Sequence, residues 1–158
     1  MIKISFQGQS NIGGDSVKVK EIMSKDVAKL RSDDSIERAA QLMRQYNCGS
    51  IPVCTQDKII GIVTDRDIAV RSVASGSDVS EQKVKDIMTD NVVFGNPDME
   101  VSDAAKLMSD RQIRRLPIVE NNSIVGIVAL GDISLEPRYQ NSAEDALKNI
   151  SEAGSKLY

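Results

Sequence analysis

The sequence of 158 residues contains no histidine and no tryptophan, and its only aromatic side chains are three tyrosines and two phenylalanines. The absence of histidine removes the side chain that most often serves as a general base and as a transition-metal ligand. The two cysteines have no such base as a partner, and neither a P-loop nor a GxGxxG motif is present. We therefore expect a protein that is not an enzyme, with no catalytic residue and no metal site.

Neither the charge nor the hydrophobicity of the chain favours nucleic acid or a membrane. The formal net charge is −3, and aromatic platforms for stacking bases are scarce. The longest apolar run is far shorter than the roughly 18 residues typical of a membrane span, and the N-terminus lacks a secretory signal pattern. We expect a cytoplasmic protein with no nucleic-acid or membrane partner, in which Cys48 and Cys54 are reduced core thiols rather than a disulfide.

What the sequence does contain is an ungapped internal repeat. Residues 18–70 (copy one) recur as residues 83–135 (copy two) at a constant offset of 65 positions. The recurring groups include Ile22-Met23 with Ile87-Met88, Ala39-Ala40 with Ala104-Ala105, Pro52 with Pro117, Gly61-Ile62-Val63 with Gly126-Ile127-Val128, and Asp67-Ile68 with Asp132-Ile133. Two copies are too few for a solenoid. They predict a pseudo-twofold pair with twin clefts, in which differences between the copies indicate function.

Each copy shows the pattern of a βαββα unit. Extended segments are predicted at 27–30 and 92–94, helices at 35–46 and 100–111, strand pairs at 50–54 with 59–63 and at 116–119 with 124–129, and further helices from Asp65 and Gly131. Asp34 is predicted to cap the first long helix, with Glu37 completing a capping box. The predicted fold class is α/β (α+β), with two βαββα repeats packed through their sheets.

The remaining segments complete the domain organisation. We expect a flexible arm at 1–16, in which Phe6-Gln7-Gly8 resembles the remnant of a cleavable tag, then repeat one at 17–75, a linker at 76–82, repeat two at 83–137 and a C-terminal helix at 142–153. Ser142 can cap that helix and Gly154 can stop it. Its apolar stripe, formed by Ala143, Ala146, Leu147 and Ile150, needs a partner surface on the chain's own core or on another subunit.

Several motifs resemble those of tandem CBS domains, named after cystathionine β-synthase, which pair into a Bateman module. In copy one they are Val19-Lys20-Glu21-Ile22-Met23, Ala39-Ala40-x-Leu42-Met43, Ile51-Pro52-Val53 and Gly61-Ile62-Val63-Thr64-Asp65-Arg66-Asp67-Ile68. In copy two they are Val84-Lys85-Asp86-Ile87-Met88, Arg114-Arg115-Leu116-Pro117-Ile118-Val119 and Gly126-Ile127-Val128-Ala129-Leu130-Gly131-Asp132-Ile133. The resemblance covers residues 16–137, and the whole chain is similar to small stand-alone bacterial CBS-pair proteins.

This resemblance implies a regulatory module. Members of the family bind adenosine-containing ligands such as AMP, ADP, ATP or S-adenosylmethionine in the clefts between repeats, and they transmit the bound state to a partner. They commonly dimerise into a flat disk. We therefore expect this protein to bind an adenine nucleotide or S-adenosylmethionine as a regulatory ligand and to require no cofactor. We also expect a homodimer that acts on an effector protein, which the sequence does not identify.

The segment from Gly61 to Ile68 has the chemistry that such a ligand needs. The Thr64 hydroxyl and the Asp67 carboxylate lie three residues apart, so both can point into one cleft, where a carboxylate can accept from both hydroxyls of a ribose. Arg66 can reach a phosphate. The spacing alone fits equally well with Asp65 and Asp67 capping a helix, and only the resemblance favours the ligand.

Other candidate positions follow from the resemblance. By family position, Val27, Ala28, Ile51 and Pro52 would surround adenine, although each also fits a hydrophobic core. Arg114 and Arg115 would face ligand phosphates across the cleft, or else form a solvated or subunit-facing pair. Arg44 and Arg71 are interpreted as charges on helix surfaces.

Copy two departs from this pattern and predicts a weaker or empty second site. Asp132 is retained, but Ala129 replaces the hydroxyl residue and Gly131 replaces the arginine. Loss of one hydroxyl contact costs about 1 kcal/mol, or roughly fivefold in affinity. An alternative function remains at this point: a ligand-independent oligomerisation or partner-docking protein whose clefts stay empty.

Overall fold

The structure, a computed structural model, describes residues 16–155. Copy one contains α1 (Val19–Ile22), α2 (Ile36–Tyr46), β1 (Ser50–Thr55), β2 (Lys58–Thr64) and α3 (Asp65–Asp67), which continues as a π-helical turn (Ile68–Ser72) and a 3₁₀ turn (Val73–Ser75). Copy two contains a 3₁₀ turn (Val84–Asp86), α4 (Val101–Arg111), β3 (Arg115–Glu120), β4 (Ser123–Ala129) and α5 (Leu130–Ser134). A 3₁₀ turn (Pro137–Tyr139) then leads into α6 (Gln140–Ser155). The arm predicted for 1–16 lies outside the described residues except for Ser16.

The predicted strand pairs are confirmed as two antiparallel hairpins with the same register. Pro52 pairs with Ile62 in β1–β2, and Pro117 pairs with Ile127 in β3–β4. A bulge follows each proline, and the turn residues have the positive φ angles typical of tight hairpins. Leu30, in the predicted extended segment 27–30, adds one parallel bridge to β1, and Gly95, the residue after the predicted segment 92–94, adds the equivalent bridge to β3. The Pro52 carbonyl accepts from the Leu30 amide at 2.9 Å, so the proline lies beside a very short edge segment.

The long helices lie where their periodicity predicts, but the predicted cap of α2 is wrong. Ser35 is the N-cap residue, and its hydroxyl accepts from the Arg38 amide at 3.1 Å. Asp34 instead accepts from the Arg31 amide at 2.7 Å, in the turn before the helix. Because α2 begins at Ile36, Glu37 is the second helical residue and is not placed to complete a capping box.

The C-terminal helix differs from its prediction at both ends. It begins at Gln140, which places Ser142 inside the helix rather than at its cap, and it continues through Gly154 to Ser155. Ala143 and Ala146 are 3% and 2% exposed and belong to the core of copy two, whereas Leu147 is 47% exposed. Ala143, Ala146 and Ile150 of the apolar stripe therefore find their partner surface within the chain, whereas Leu147 does not.

The two copies exchange their entry segments. Residues 17–24 pack on copy two, where Ser24 and Ile127 are joined by backbone hydrogen bonds of 2.8 and 2.9 Å. Residues 84–89 pack on copy one, where Thr89 and Ile62 are joined in the same way at 2.9 Å. An ion pair between Lys18 and Glu100 adds to the first contact, and the hydrogen bond from Lys18 lowers the pKa of the Glu100 carboxyl.

The exchange divides the buried side chains into two cores, each completed by the other copy's entry segment. The core of copy one contains Leu30, Ile36, Ala39, Leu42, Met43, Ile51, Val53, Val63, Val84 and Ile87. The core of copy two contains Val19, Val101, Ala104, Ala105, Met108, Leu116, Ile118, Val128, Leu130, Ile133, Ala143 and Ala146. These cores and hairpins are those of an α+β fold made of two packed repeats.

Candidate functional site

The motif at the end of β2 forms a reciprocal helix cap. The Thr64 hydroxyl accepts from the Asp67 amide at 3.0 Å, and Asp67 Oδ2 accepts from the Thr64 amide at 3.0 Å. The helix-capping role left open by the spacing is therefore present. It does not use all the capacity of either group, because the hydroxyl can still donate a hydrogen bond and a carboxylate has further lone pairs.

Arg71 contacts the other oxygen of the Asp67 carboxylate. Its Nε lies 3.7 Å from Asp67 Oδ1, and its Nη1 donates to the Ile87 carbonyl at 3.0 Å. The Asp67 side chain is only 13% exposed, compared with 54% for Arg71. Arg71 is exposed on a helix surface, as interpreted from the sequence, but it also links the motif to the exchanged entry segment. The i, i+4 spacing from Asp67 was the available signal.

The first turn after Thr64 is held against the chain segment that precedes β1. The Asp65 amide donates to the Gly49 carbonyl at 2.9 Å, and a Cβ on Gly49 would lie 2.9 Å from Asp65 Oδ2. A larger residue at position 49, where copy two has Arg114, would therefore have to displace the exposed Asp65 carboxylate. The Arg66 side chain is exposed on this turn, and its backbone amide donates to Asp65 Oδ1 at 2.8 Å.

A cavity of about 110 Å³ lies where the two copies meet. It is lined by Ser24, Asp26, Val27, Ala28, Tyr46, Cys48, Ser50, Arg115 and Ile127. The structure thus brings Val27 and Ala28 of copy one together with Arg115 of copy two. Arg114 is exposed and is not part of this lining, while Ile51 and Pro52 are buried within β1. Sequence reasoning did not identify Tyr46, Cys48 or Ser50 as cavity residues.

Ser50 connects the cavity with the Thr64–Asp67 motif. It is paired with Thr64 across the β1–β2 hairpin, and its hydroxyl is buried without a hydrogen-bond partner. Buried polar groups in proteins are nearly always hydrogen-bonded, so the hydroxyl of Ser50 is a group in the cavity wall whose hydrogen bond a ligand or a water could supply. Thr64 and Asp67 are not part of the cavity lining. Since ligand pockets usually measure about 300–1,000 Å³, a nucleotide would have to widen this cavity toward them.

The equivalent position in copy two has fewer functional groups. Asp132 Oδ2 accepts from the Ala129 amide at 2.9 Å, but Ala129 has no hydroxyl to complete the cap. The counterpart of Arg71 is Glu136, so a carboxylate takes the place of the guanidinium. The counterpart of Arg66 is Gly131, around which nothing lies within 4 Å of an added Cβ.

Other side-chain chemistry in the described range is limited. Both cysteines are free; Cys54 is buried, and its burial raises the pKa of the thiol, whereas Cys48 is half-buried at the cavity. Within residues 16–155, no three Cys, Asp or Glu side chains are grouped in a way that could hold a metal ion. None of the helices in that range has the length and apolar character needed to cross a membrane.

The family model described as "CBS domain" matches the chain twice, at residues 19–73 and 84–137. The chain therefore belongs to the CBS-domain family, as a tandem pair of the kind that serves as a regulatory module, and the resemblance stated from its motifs is confirmed. It is 47% identical over 133 residues to the CBS domain-containing protein YhcV of Bacillus subtilis, covering 84% of this chain and 94% of that protein.

Two solved structures extend the comparison. The CBS domain pair of protein MJ0100, in complex with 5′-methylthioadenosine and S-adenosyl-L-methionine, is 33% identical with a TM-score of 0.69, covering 76% of this chain and 94% of that one. The hexameric CBS-CP12 protein from bloom-forming cyanobacteria is 27% identical with a TM-score of 0.71, covering 82% of this chain and 77% of that one.

Proposed function

We propose that this CBS pair is a non-enzymatic sensor that binds an adenosine-containing ligand between its two copies and signals by a change of conformation or assembly. The observation that carries the proposal is the cavity between the copies, in which Val27, Ala28 and Arg115 meet beside the orphaned hydroxyl of Ser50. The complex of the related MJ0100 pair with two adenosine derivatives supports the ligand class.

Each part of the ligand has a candidate partner. Val27 and Ala28 would contact the adenine ring, while Asp67 would accept from the ribose hydroxyls and Thr64 or Ser50 would supply a neutral hydrogen bond. Arg115 or Arg66 would neutralise a phosphate. Because Arg115 belongs to copy two and the other groups to copy one, a ligand that contacts both would stabilise one relative arrangement of the copies.

Isothermal titration calorimetry with AMP, ADP, ATP and S-adenosylmethionine tests this proposal. We expect at least one of these ligands to bind below millimolar concentration and Asp67→Ala to weaken that binding about tenfold to a hundredfold, since charged hydrogen bonds contribute about 1.5–3 kcal/mol. Asp132→Ala is the matched control in copy two and should change affinity much less. Absence of binding, or equal affinity of wild type and Asp67→Ala, would contradict the proposal.

A ligand-independent oligomerisation or partner-docking protein is the second candidate. It is favoured by the contacts within the motif, because the pairing of Thr64, Asp67 and Arg71 with one another gives these side chains a structural role of their own. Thermal denaturation distinguishes the two functions. A nucleotide at about 100 times its Kd stabilises a sensor by roughly 2.7 kcal/mol, which is a rise of several degrees in Tm, whereas a docking protein would melt at the same temperature with and without nucleotide.

In either case we propose a homodimer as the assembled state and a separate effector protein as its partner. The hexameric CBS-CP12 relative is an assembly of higher order, so the number of chains is itself a quantity to be measured. Sedimentation velocity in the presence and absence of the bound nucleotide would show whether the ligand changes the assembly.

A further inference from the structure

We propose that Arg71 is a positioning residue that couples ligand binding at Asp67 to the second entry segment, residues 84–89, and so to the junction between the two copies. The inference rests on the proposed function, because it requires a ribose that contacts Asp67. The contacts of Arg71 are present in the free protein, so the link itself can be tested without a ligand.

Arg71 contacts groups that belong to different copies. Its Nε forms an ion pair with Asp67 Oδ1 at 3.7 Å, and its Nη1 donates to the Ile87 carbonyl at 3.0 Å. Both partners are held by their surroundings, since the Asp67 side chain is 13% exposed and Ile87 is 2% exposed. The guanidinium is planar and its N–H donors have fixed directions. A displacement of one partner therefore changes the geometry at the other.

The second entry segment is also held by β2, the strand that ends at Thr64. Thr89 and Ile62 exchange two backbone hydrogen bonds of 2.9 Å. Arg71 adds an attachment that starts from the Thr64–Asp67 motif itself. The motif and its strand thus contact the same short segment of copy two at two points.

The link is present in the copy that retains the hydroxyl of the motif. In copy two, Ala129 replaces Thr64 and Glu136 replaces Arg71. A carboxylate at position 136 would repel Asp132 and cannot donate to a carbonyl. Thr64 and Arg71 thus occur together in copy one and are both replaced in copy two. This pairing associates the arginine with the ligand contacts rather than with the fold that both copies share.

The backbone that carries Arg71 also differs between the copies. Ile68–Ser72 is a π-helical turn, whereas α5 of copy two is an α-helix that ends at Ser134, before the counterpart of Arg71. Single π-helical turns occur frequently at functional sites. Together with the charge difference, this turn makes the placement of residue 71 a property of copy one.

Ligand binding should tighten this link. Ribose hydroxyls that donate to Asp67 would fix its carboxylate and displace water from it, and an ion pair strengthens when it is less screened by solvent. Arg71 would then be held more firmly on the Ile87 carbonyl. Coupling between binding events is reciprocal, so the link should in turn strengthen ligand binding. Because Arg71 is 54% exposed, we expect a factor of about 3–10, at the low end for such couplings.

Amide hydrogen exchange of the full chain, measured residue by residue by NMR, tests the link in the free protein. Arg71→Ala should lower the protection of the Ile62 and Thr89 amides about threefold to tenfold. The Ser24 and Ile127 amides of the other junction should be unchanged, which separates a local effect from a general loss of stability.

Further variants show whether the effect involves Asp67. Arg44→Ala removes an exposed charge from α2 and should change no amide of either junction. Arg71→Lys keeps the charge but lacks the fork that reaches two acceptors, so it should recover only part of the loss. Asp67→Asn should lower the protection of Thr89, and the double variant Asp67→Asn/Arg71→Ala should be no worse than Arg71→Ala, since both changes break the same chain of contacts.

Calorimetry with AMP, ADP, ATP and S-adenosylmethionine tests the coupling, followed by exchange measurements with whichever of the four binds most tightly. Arg71→Ala should bind that compound about 3–10 times more weakly than wild type or Arg44→Ala. At equal saturation, the compound should raise the protection of the Ile62 and Thr89 amides in wild type and much less in Arg71→Ala. A purely structural role of Arg71 would not produce this difference.

The outcomes separate the coupling from the proposed function. Unchanged protection in free Arg71→Ala would overturn the link whatever compound binds. Equal affinity of wild type and Arg71→Ala, or an equal rise in protection on binding, would overturn the coupling and leave the sensor to be decided by Asp67→Ala. If none of the four compounds binds, the proposed function and the coupling both fail, and altered exchange in the free protein would then identify Arg71 as a structural contact alone.

Discussion

Residue 64 and its counterpart 129 show how one hydroxyl distinguishes the two copies. The Thr64 hydroxyl accepts a hydrogen bond from the Asp67 amide, and the Thr64 amide donates one to the Asp67 carboxylate. In copy two only the second of these exists, from the Ala129 amide to the Asp132 carboxylate. An N-cap hydroxyl satisfies an amide that would otherwise lack a partner in the first turn of a helix. The difference therefore affects stability as well as any ligand.

Substitution of these two residues should have opposite effects on stability. We expect Thr64→Ala to lower the free energy of unfolding by about 1 kcal/mol, and Ala129→Thr to raise it by up to about 1 kcal/mol, because the first removes an N-cap and the second creates one. Urea denaturation followed by circular dichroism measures both. Equal stability of wild type and Thr64→Ala would show that the hydroxyl does not act as a cap.

At the scale of single residues, the sequence locates the Thr64–Asp67 motif but does not decide what the motif does. The spacing of Thr64 and Asp67 is sufficient to find the motif, but it fits a helix cap and a ribose contact equally well because both need the same two side chains. The contact of Arg71 with the Ile87 carbonyl depends on an entry segment that comes from the other repeat. No local pattern around residue 71 contains that information.

Among the secondary-structure elements, the glycine in the middle of each second hairpin strand is a contact point with the exchanged segment. A Cβ on Gly126 would lie 2.5 Å from Met23 Sδ and 3.0 Å from the Ser24 carbonyl oxygen. The methionine side chain can move, but the backbone oxygen is held by the bridge to Ile127. The repeated glycine is thus explained by close approach of chain to chain rather than of chain to ligand.

Alanine substitutions at glycines separate this contact from a general effect of glycine. Gly126→Ala should destabilise the protein by about 1–3 kcal/mol through overpacking. Gly131→Ala is the control: nothing lies within 4 Å of its Cβ and it is in α5, so it should be neutral or stabilising by up to about 1 kcal/mol. Chemical denaturation measures the free energy of unfolding of both variants. Equal stability of the two would contradict the close approach.

Hairpins and long helices could be predicted because their hydrophobic periodicity is strong, whereas their ends could not. Asp34 and Ser35 are both good N-cap residues, and the choice between them follows from the turn that Asp34 forms with the Arg31 amide. The apolar stripe of α6 likewise predicts a covered face without identifying the surface that covers it. That surface is α4 with α5, which only the packing of copy two reveals.

For the whole molecule, the important feature is that the sequence repeat and the packing unit do not coincide. Val19 precedes copy one's hairpin in the chain but is fully buried in the core of copy two, and Val84 is fully buried in the core of copy one. The repeat predicts two packed halves correctly. It does not predict the exchange, because the two entry segments are so similar that either could fill either core.

The exchange predicts that a substitution in one entry segment will loosen the opposite copy. Val19→Ala removes two methyl groups from the core of copy two, and Val84→Ala does the same in copy one; each should cost about 1.5–3 kcal/mol. Native-state hydrogen exchange read by mass spectrometry should show Val19→Ala lowering amide protection mainly in α4 and β3–β4, and Val84→Ala mainly in α2 and β1–β2. The two variants serve as controls for each other. Loss of protection confined to the hairpin that follows each mutated segment in sequence would mean that each repeat packs on its own entry segment. The two halves would then not be coupled through exchanged segments, and the proposed sensor would lose the structural basis of that coupling.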